Sequence, residues 1–205
     1  MELIRLQNLD KNIEKIISTL TSGKLIIFPT ETLYGIGANA LNENAVKEIF
    51  EVKNRPESKP ILVLISKLEM LDRLVLEVPE IAKILMNKYW PGALTIIFKK
   101  KANIPPSLNP NGDTIAVRMT SSKTARKIID LCKFPITAPS ANISGKEPIK
   151  NYEEALREFG NSTLIEHMIE DQELKDSKPS TIIDVSDGSL KIIREGVISE
   201  KEIRS

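Results

Sequence analysis

Several short, almost purely apolar runs, each fenced by proline, glycine or polar residues, restrict the fold more than any other feature of the sequence. Ile61 to Ile65 (ILVLI) stands between Pro60 and Ser66, Leu25 to Phe28 ends at Pro29, and Leu94 to Lys99, Thr114 to Met119 and Thr181 to Val185 are similar. A strand with one wet face alternates apolar and polar residues. Runs apolar throughout are what the middle of a helix-covered sheet requires. Shorter strands are expected at Leu3 to Leu6, Ile136 to Ala138 and Leu190 to Arg194. Between the runs, apolar residues recur at helical spacing: Ile13, Ile16, Ile17 and Leu20, then Ala45, Val46, Ile49 and Phe50, then Ile81, Ile84 and Leu85. Gly23 stands where the first helix would stop, and Asn42 or Asn44 where the second would be capped. Strands alternating irregularly with helices point to an α/β fold. The 205 residues, with an aliphatic rather than aromatic core, favour one domain over residues 1–205, built on a twisted mixed sheet flanked by helices. The tail beyond Gly196 reads as peripheral.

Composition excludes several function classes. Lys plus Arg number 29 against 28 for Asp plus Glu, so the net charge of +1 provides no global attraction for nucleic acid or an anionic membrane. Cys132 and His167 are single instances of their types, which rules out an internal disulfide and a multi-cysteine zinc site; a Ser-His-Asp triad would rest on His167 in a charged stretch without a matching motif. The start, MELIRLQNLDKNIEK, is charged from its second residue, and no apolar run approaches membrane-spanning length. A cytoplasmic protein is expected.

Four polar loops each adjoin a strand: PTETLYGIG (29–37), KNRPESKP (53–60), PSANISGKEP (139–148) and SKPSTIID (177–184). Such loops can converge on one crevice at the strand ends. The first offers the hydroxyls of Thr30, Thr32 and Tyr34, the carboxylate of Glu31 and two glycines. Its alternative reading is an ordinary connection capping the next element. In the second, Lys53, Arg55 and Lys59 can hold a polyphosphate, or else offset the negative end of a helix dipole. Ser140, Asn142 and Ser144 offer hydroxyl and amide groups or form a turn. Arg118 and Arg194 lie in otherwise apolar strands, pointing to solvent or to a carboxylate or phosphate. Gly35, Gly37 and Ala40 spell GxGxxA, but six residues separate them from the strand, so a dinucleotide fingerprint fails; no P-loop exists.

Taken in order, PTETLYGIG, the K-x-R-x-x-x-K-P loop, AVRM, APSAN-SG and PSTIID…IIREG resemble the YrdC family of threonylcarbamoyl-AMP synthases over Phe28 to Gly196. The resemblance implies condensation of L-threonine, bicarbonate and ATP to threonylcarbamoyl-adenylate and pyrophosphate, with Mg²⁺ accompanying ATP, in the service of tRNA modification together with threonylcarbamoyl-transferring proteins. It implies a threonine site at Thr32, Arg118 and Ser180 with Tyr34 close by. It implies ATP contacts from Lys53, Arg55, Lys59, Thr114, Ser140, Asn142 and Arg194, with Lys53 and Arg55 stabilising the leaving charge and no side-chain nucleophile or metal ligand. Two departures stand out. Leu64 replaces a polar residue of some relatives, and the stretch before PSTIID, STLIEHMIEDQELKD, lacks the usual glycines and is expected to form a different lid or a surface hairpin. The chain resembles the short form without an additional C-terminal domain. Two other readings remain. One is a carbamoyl-adenylate domain of hydrogenase maturation; the other is a binding module for tRNA or double-stranded RNA, with Lys53, Arg55, Lys59, Arg118 and Lys146 lining a basic surface.

Overall fold

The computed structural model describes residues 1–56, 59–171 and 178–205. A strand β1 (Glu2–Arg5) and a 3-10 turn lead into α1 (Leu9–Thr21), then β2 (Leu25–Phe28), β3 (Gly35–Gly37) and α2 (Glu43–Lys53). Next come β4 (Leu62–Ile65), α3 (Leu68–Leu74), α4 (Glu80–Tyr89), β5 (Leu94–Lys99) and β6 (Thr114–Met119). The chain continues through α5 (Lys123–Cys132), β7 (Ile136–Thr137), α6 (Tyr152–Phe159), β8 (Ile165–Glu170), β9 (Thr181–Asp184), β10 (Lys191–Arg194) and α7 (Glu200–Arg204).

Local chemistry sets the boundaries. After α1, Gly23 takes φ +87°, a left-handed conformation that a side chain would resist. The Asn42 side chain accepts hydrogen bonds from the Asn44 and Ala45 amides and opens α2, and Ser122 and Asn151 do the same for α5 and α6.

The fold is mixed α/β, as the alternation of runs predicts, and its strands divide between two mixed sheets. One has the order β1-β8-β2-β3, the other β10-β9-β5-β6-β4-β7. In the larger sheet parallel and antiparallel pairs alternate from edge to edge. Helices α1 and α6 lie on the smaller sheet, α3 and α4 on the larger. The sheets meet where β3 runs beside β7: Ala38 and Thr137 exchange hydrogen bonds, Ile36 N donates to Pro139 O at 2.9 Å, and Gly35 bridges Ser140. The glycines of GIG therefore form a strand; a Cβ at Gly37 would stand 2.9 Å from Phe28 Cε1.

Three sequence-based expectations change. Ile165–Glu170 is a buried strand inside the smaller sheet, pairing in parallel with β1 and β2, and is neither lid nor hairpin; residues 172–176 of that stretch lie outside the described residues. The tail is not peripheral, because Ile198 and Ile203 are buried and Tyr89 donates its hydroxyl to Glu202 O at 2.6 Å. Period two gives the larger sheet two different faces. On β5 and β6 Leu94, Ile96, Phe98, Ile115 and Val117 face the helices and are buried, while Thr95, Ile97, Ala116 and Arg118 face the opposite side. That second face carries the site.

Candidate active site

A cavity of about 300 Å³ opens on this face. Its floor is apolar, with Leu62, Ile97, Ala116 and Ile182 half-buried on four adjoining strands. Its rim is polar. Thr30, Thr32 and Tyr34 come from the loop between β2 and β3, Ser140 from the loop after β7, and Thr95 and Ser180 from the start of β5 and the approach to β9. Three arginines, Arg55, Arg118 and Arg194, line it, and no carboxylate does among the described residues. The field inside is positive and the walls partly dry, which suits an anion.

Each arginine is held at one edge. Arg118, 2% exposed, donates from Nη1 to Thr32 Oγ1 at 3.0 Å, and Glu31 lies behind it. Burial pulls its pKa below the ordinary value, Glu31 opposes this and Arg194 adds to it. Arg194 donates from Nη2 to Ser180 O at 2.8 Å, and Arg55 from Nη2 to Pro60 O at 2.8 Å. The first loop is shaped by Thr30, whose hydroxyl donates to Leu33 O at 2.6 Å and accepts from the Thr32 and Leu33 amides. Tyr34 OH donates to Asp171 O at 3.0 Å and accepts from Asp171 N at 3.1 Å; burial pushes its pKa up to about 12, so it remains a phenol. Ser180 Oγ pairs with Thr95 Oγ1 at 2.9 Å. Gly196 closes over this loop, since a Cβ there would meet Pro179 O at 2.1 Å.

The cavity thus gathers Thr32, Tyr34, Arg55, Arg118, Ser140, Ser180 and Arg194 of the residues singled out in the sequence. Four others expected as ligand contacts do not line it. Lys53 is 1% exposed and its ammonium donates to Ser140 O, to Asn142 O at 2.7 Å and to Asn142 Oδ1 at 3.3 Å. It braces the 140–142 loop from beneath. Burial, with Arg55 adding, lowers its pKa to about 7. Asn142 is consumed internally: Oδ1 accepts from Ser140 Oγ at 2.6 Å, and Nδ2 donates to Ile143 O and Lys146 O. Thr114 shares the cavity face of β6 with Ala116 and Arg118 but stands at its far end, accepting from Asn109 Nδ2 at 2.8 Å. Lys59 is exposed beside Glu57 and Ser58, which lie outside the described residues. A solvated basic surface of Lys53, Arg55, Lys59, Arg118 and Lys146 is not what the fold builds, because Lys53 and Arg118 are buried and Lys146 pairs with Glu158 at 2.9 Å.

Sequence reasoning missed Thr95 and the apolar floor, whose signal is alternation within LTIIFK and TIAVRM. His167 lies elsewhere, buried in β8 between Glu2 and Glu166, and burial pushes the Cys132 thiol up to about 11.

The Sua5_yciO_yrdC family model, described as "Telomere recombination", matches residues 18–196. The chain belongs to this family. Threonylcarbamoyl-AMP synthase of Pyrococcus abyssi is 42% identical over 184 residues, covering 90% of this chain and 54% of that protein. A putative threonylcarbamoyl-AMP synthase of Methanocaldococcus jannaschii is 38% identical over 92% of this chain and 87% of its own length. The crystal structure of P. abyssi Sua5 complexed with L-threonine matches with a TM-score of 0.91 at 39% identity, over 99% of this chain and 59% of that one. The chain spans about half the length of the P. abyssi protein and of the Bacillus subtilis threonylcarbamoyl-AMP synthase, of which it covers 56%. No helix among the described residues is long and apolar enough to cross a membrane.

Proposed function

We propose that this chain, a single domain over residues 1–205, is a threonylcarbamoyl-AMP synthase, joining L-threonine, bicarbonate and ATP to give threonylcarbamoyl-adenylate and pyrophosphate for tRNA modification. The observation that carries the reading is the convergence of Arg55, Arg118 and Arg194 with six hydroxyls on a cavity that no carboxylate lines among the described residues. In a relative 39% identical to this chain, the matching fold is complexed with L-threonine. A zwitterionic hydroxy-amino acid asks for a cation at its carboxylate and for hydroxyl partners at its own hydroxyl, and Arg118, Thr32 and Ser180 supply both. A nucleotide asks for cations along its phosphates, and Arg55 and Arg194 supply these, with the Ser140 hydroxyl on the same cavity.

The chemistry needs no side-chain nucleophile. Threonine's amine adds to the carbon of bicarbonate with loss of water, giving an N-carboxylate. One oxygen of that group attacks the α-phosphorus of ATP; the bond to the bridging oxygen breaks, and pyrophosphate leaves with the electron pair. Mg²⁺ arrives on the phosphates of ATP, as suits a cavity lined by cations. The protein then contributes position and a preorganised positive field, which Arg118, buried, and Arg55 and Arg194, each held to a backbone carbonyl, provide with little reorganisation. Lys53 acts on this site through the loop it braces and Asn142 by orienting Ser140. The cytoplasm, where ATP and tRNA occur, is the compartment this role implies, and threonylcarbamoyl-transferring proteins are the partners that would consume the product.

Pyrophosphate release by the purified protein, with each of Mg-ATP, bicarbonate and L-threonine omitted in turn, tests the proposal. Release that needs all three is expected. Release indifferent to threonine, or none at all, would refute it.

A further inference from the structure

Arg118 is almost fully buried, and one carboxylate lies against it. Glu31 Oε1 stands 3.4 Å from Arg118 Nε, yet neither atom makes a hydrogen bond. The other oxygen, Glu31 Oε2, accepts from Thr120 Oγ1 at 2.5 Å, and Thr120 is itself fully buried. Thr120 therefore fixes the carboxylate, and the carboxylate offers Arg118 its charge without taking a bidentate pair of donors. The guanidinium's one hydrogen bond among the described residues runs from Nη1 to Thr32 Oγ1. Glu31 does not line the cavity, whereas Arg118 does.

A planar guanidinium presents its donors in a rigid fork, so fixing the Nε edge fixes where the opposite edge points. A buried cation lacking a counter-charge turns toward water or toward the nearest carbonyl. We propose that Glu31, held by Thr120, is a positioning residue for Arg118: it fixes the Nε edge by charge and so presents the guanidinium's free edge to the carboxylate of an amino-acid ligand in the cavity. The inference rests on the threonine reading above. Nothing in it requires Glu31 to touch the ligand.

Two ligands separate the possibilities: L-threonine, and L-threoninol, in which the carboxylate is replaced by a hydroxymethyl group. Their dissociation constants are measured by calorimetry for the wild-type protein, Glu31→Gln and Thr120→Val. The wild-type protein should prefer threonine. Glu31→Gln should narrow that preference by roughly tenfold, the size of one charge-assisted contact, with threoninol affinity unchanged. Thr120→Val keeps every charge and should narrow it less, in the same sense; it carries the test if Glu31→Gln does not fold. An unchanged preference in either folded variant overturns the proposal. So does an equal loss for both ligands, which would make Glu31 a support of the cavity in general. A wild-type protein with no preference for threonine would instead overturn the substrate reading.

Discussion

Replacing Lys53 by methionine keeps the volume of a buried side chain and removes its charge and its donors, which makes its pH dependence informative. The amine reaches three oxygens of the 140–142 loop. Ser140 O also accepts from Asn142 N, and Asn142 Oδ1 from Ser140 Oγ. Asn142 O has no second donor among the described residues, so the variant orphans one buried carbonyl and weakens two others, at about 1–3 kcal/mol. Against this stands the cost of burying the cation. The folded-state pKa is about 7 where the ordinary value is 10.5. Between those values the unfolded chain binds more protons than the folded one, so wild-type stability rises with pH through that window. The slope is about 1.4 kcal/mol per pH unit, and the whole window is worth on the order of 5 kcal/mol. At pH 9 the wild-type amine is neutral and Lys53→Met should be clearly less stable. At pH 6 the wild-type protein carries a buried cation, and the gap should close or reverse. Urea unfolding of both proteins at pH 6, 7, 8 and 9 measures the difference, in which the other titrating groups cancel. A gap independent of pH, or largest in acid, would refute the reasoning.

Three further outcomes are expected. In steady-state kinetics Arg55→Ala should raise KM for ATP and Arg118→Ala that for threonine, each by roughly tenfold or more; equal effects on both substrates in either variant would deny the division of the cavity. Gly196→Ala drives a methyl group into Pro179 O and the Ser180 backbone, so it should displace Ser180 and cost about 1–3 kcal/mol in urea unfolding together with lost threonine binding; an unperturbed variant would show that the contact yields easily. The His167 pKa is lowered chiefly by burial, with Glu2 and Glu166 opposing and Lys15 adding to the effect. The unfolded chain therefore takes the proton first, and stability should fall as pH drops below about 6.5; in His167→Gln that part of the acid dependence should be absent.

How much of this was legible depends on whether the signal was local. The central strands could be read because each is a short apolar run fenced by proline, glycine or polar residues, and Asn42 and Gly23 because a cap is a property of a few neighbouring residues. Ile165–Glu170 escaped because Glu166, His167 and Glu170 broke the pattern. Their polarity is accounted for by the fold: Thr19 donates to Glu166 at 2.8 Å, His167 lies between two carboxylates, and Tyr152 N donates to Glu170 at 3.1 Å. No spacing rule predicts partners more than a hundred residues away, such as Thr19 for Glu166. The cations divide in the same way. Sequence cannot distinguish Lys53 from Arg55, two positions apart in one loop, yet the helix ends between them. Lys53 is the last residue of α2 and faces inward, so its charge is spent on backbone oxygens; beyond Asn54, at φ +46°, the chain reverses and Arg55 reaches the cavity. The left-handed turn at Asn54 thus sorts the two cations, one bracing a loop and one lining the cavity.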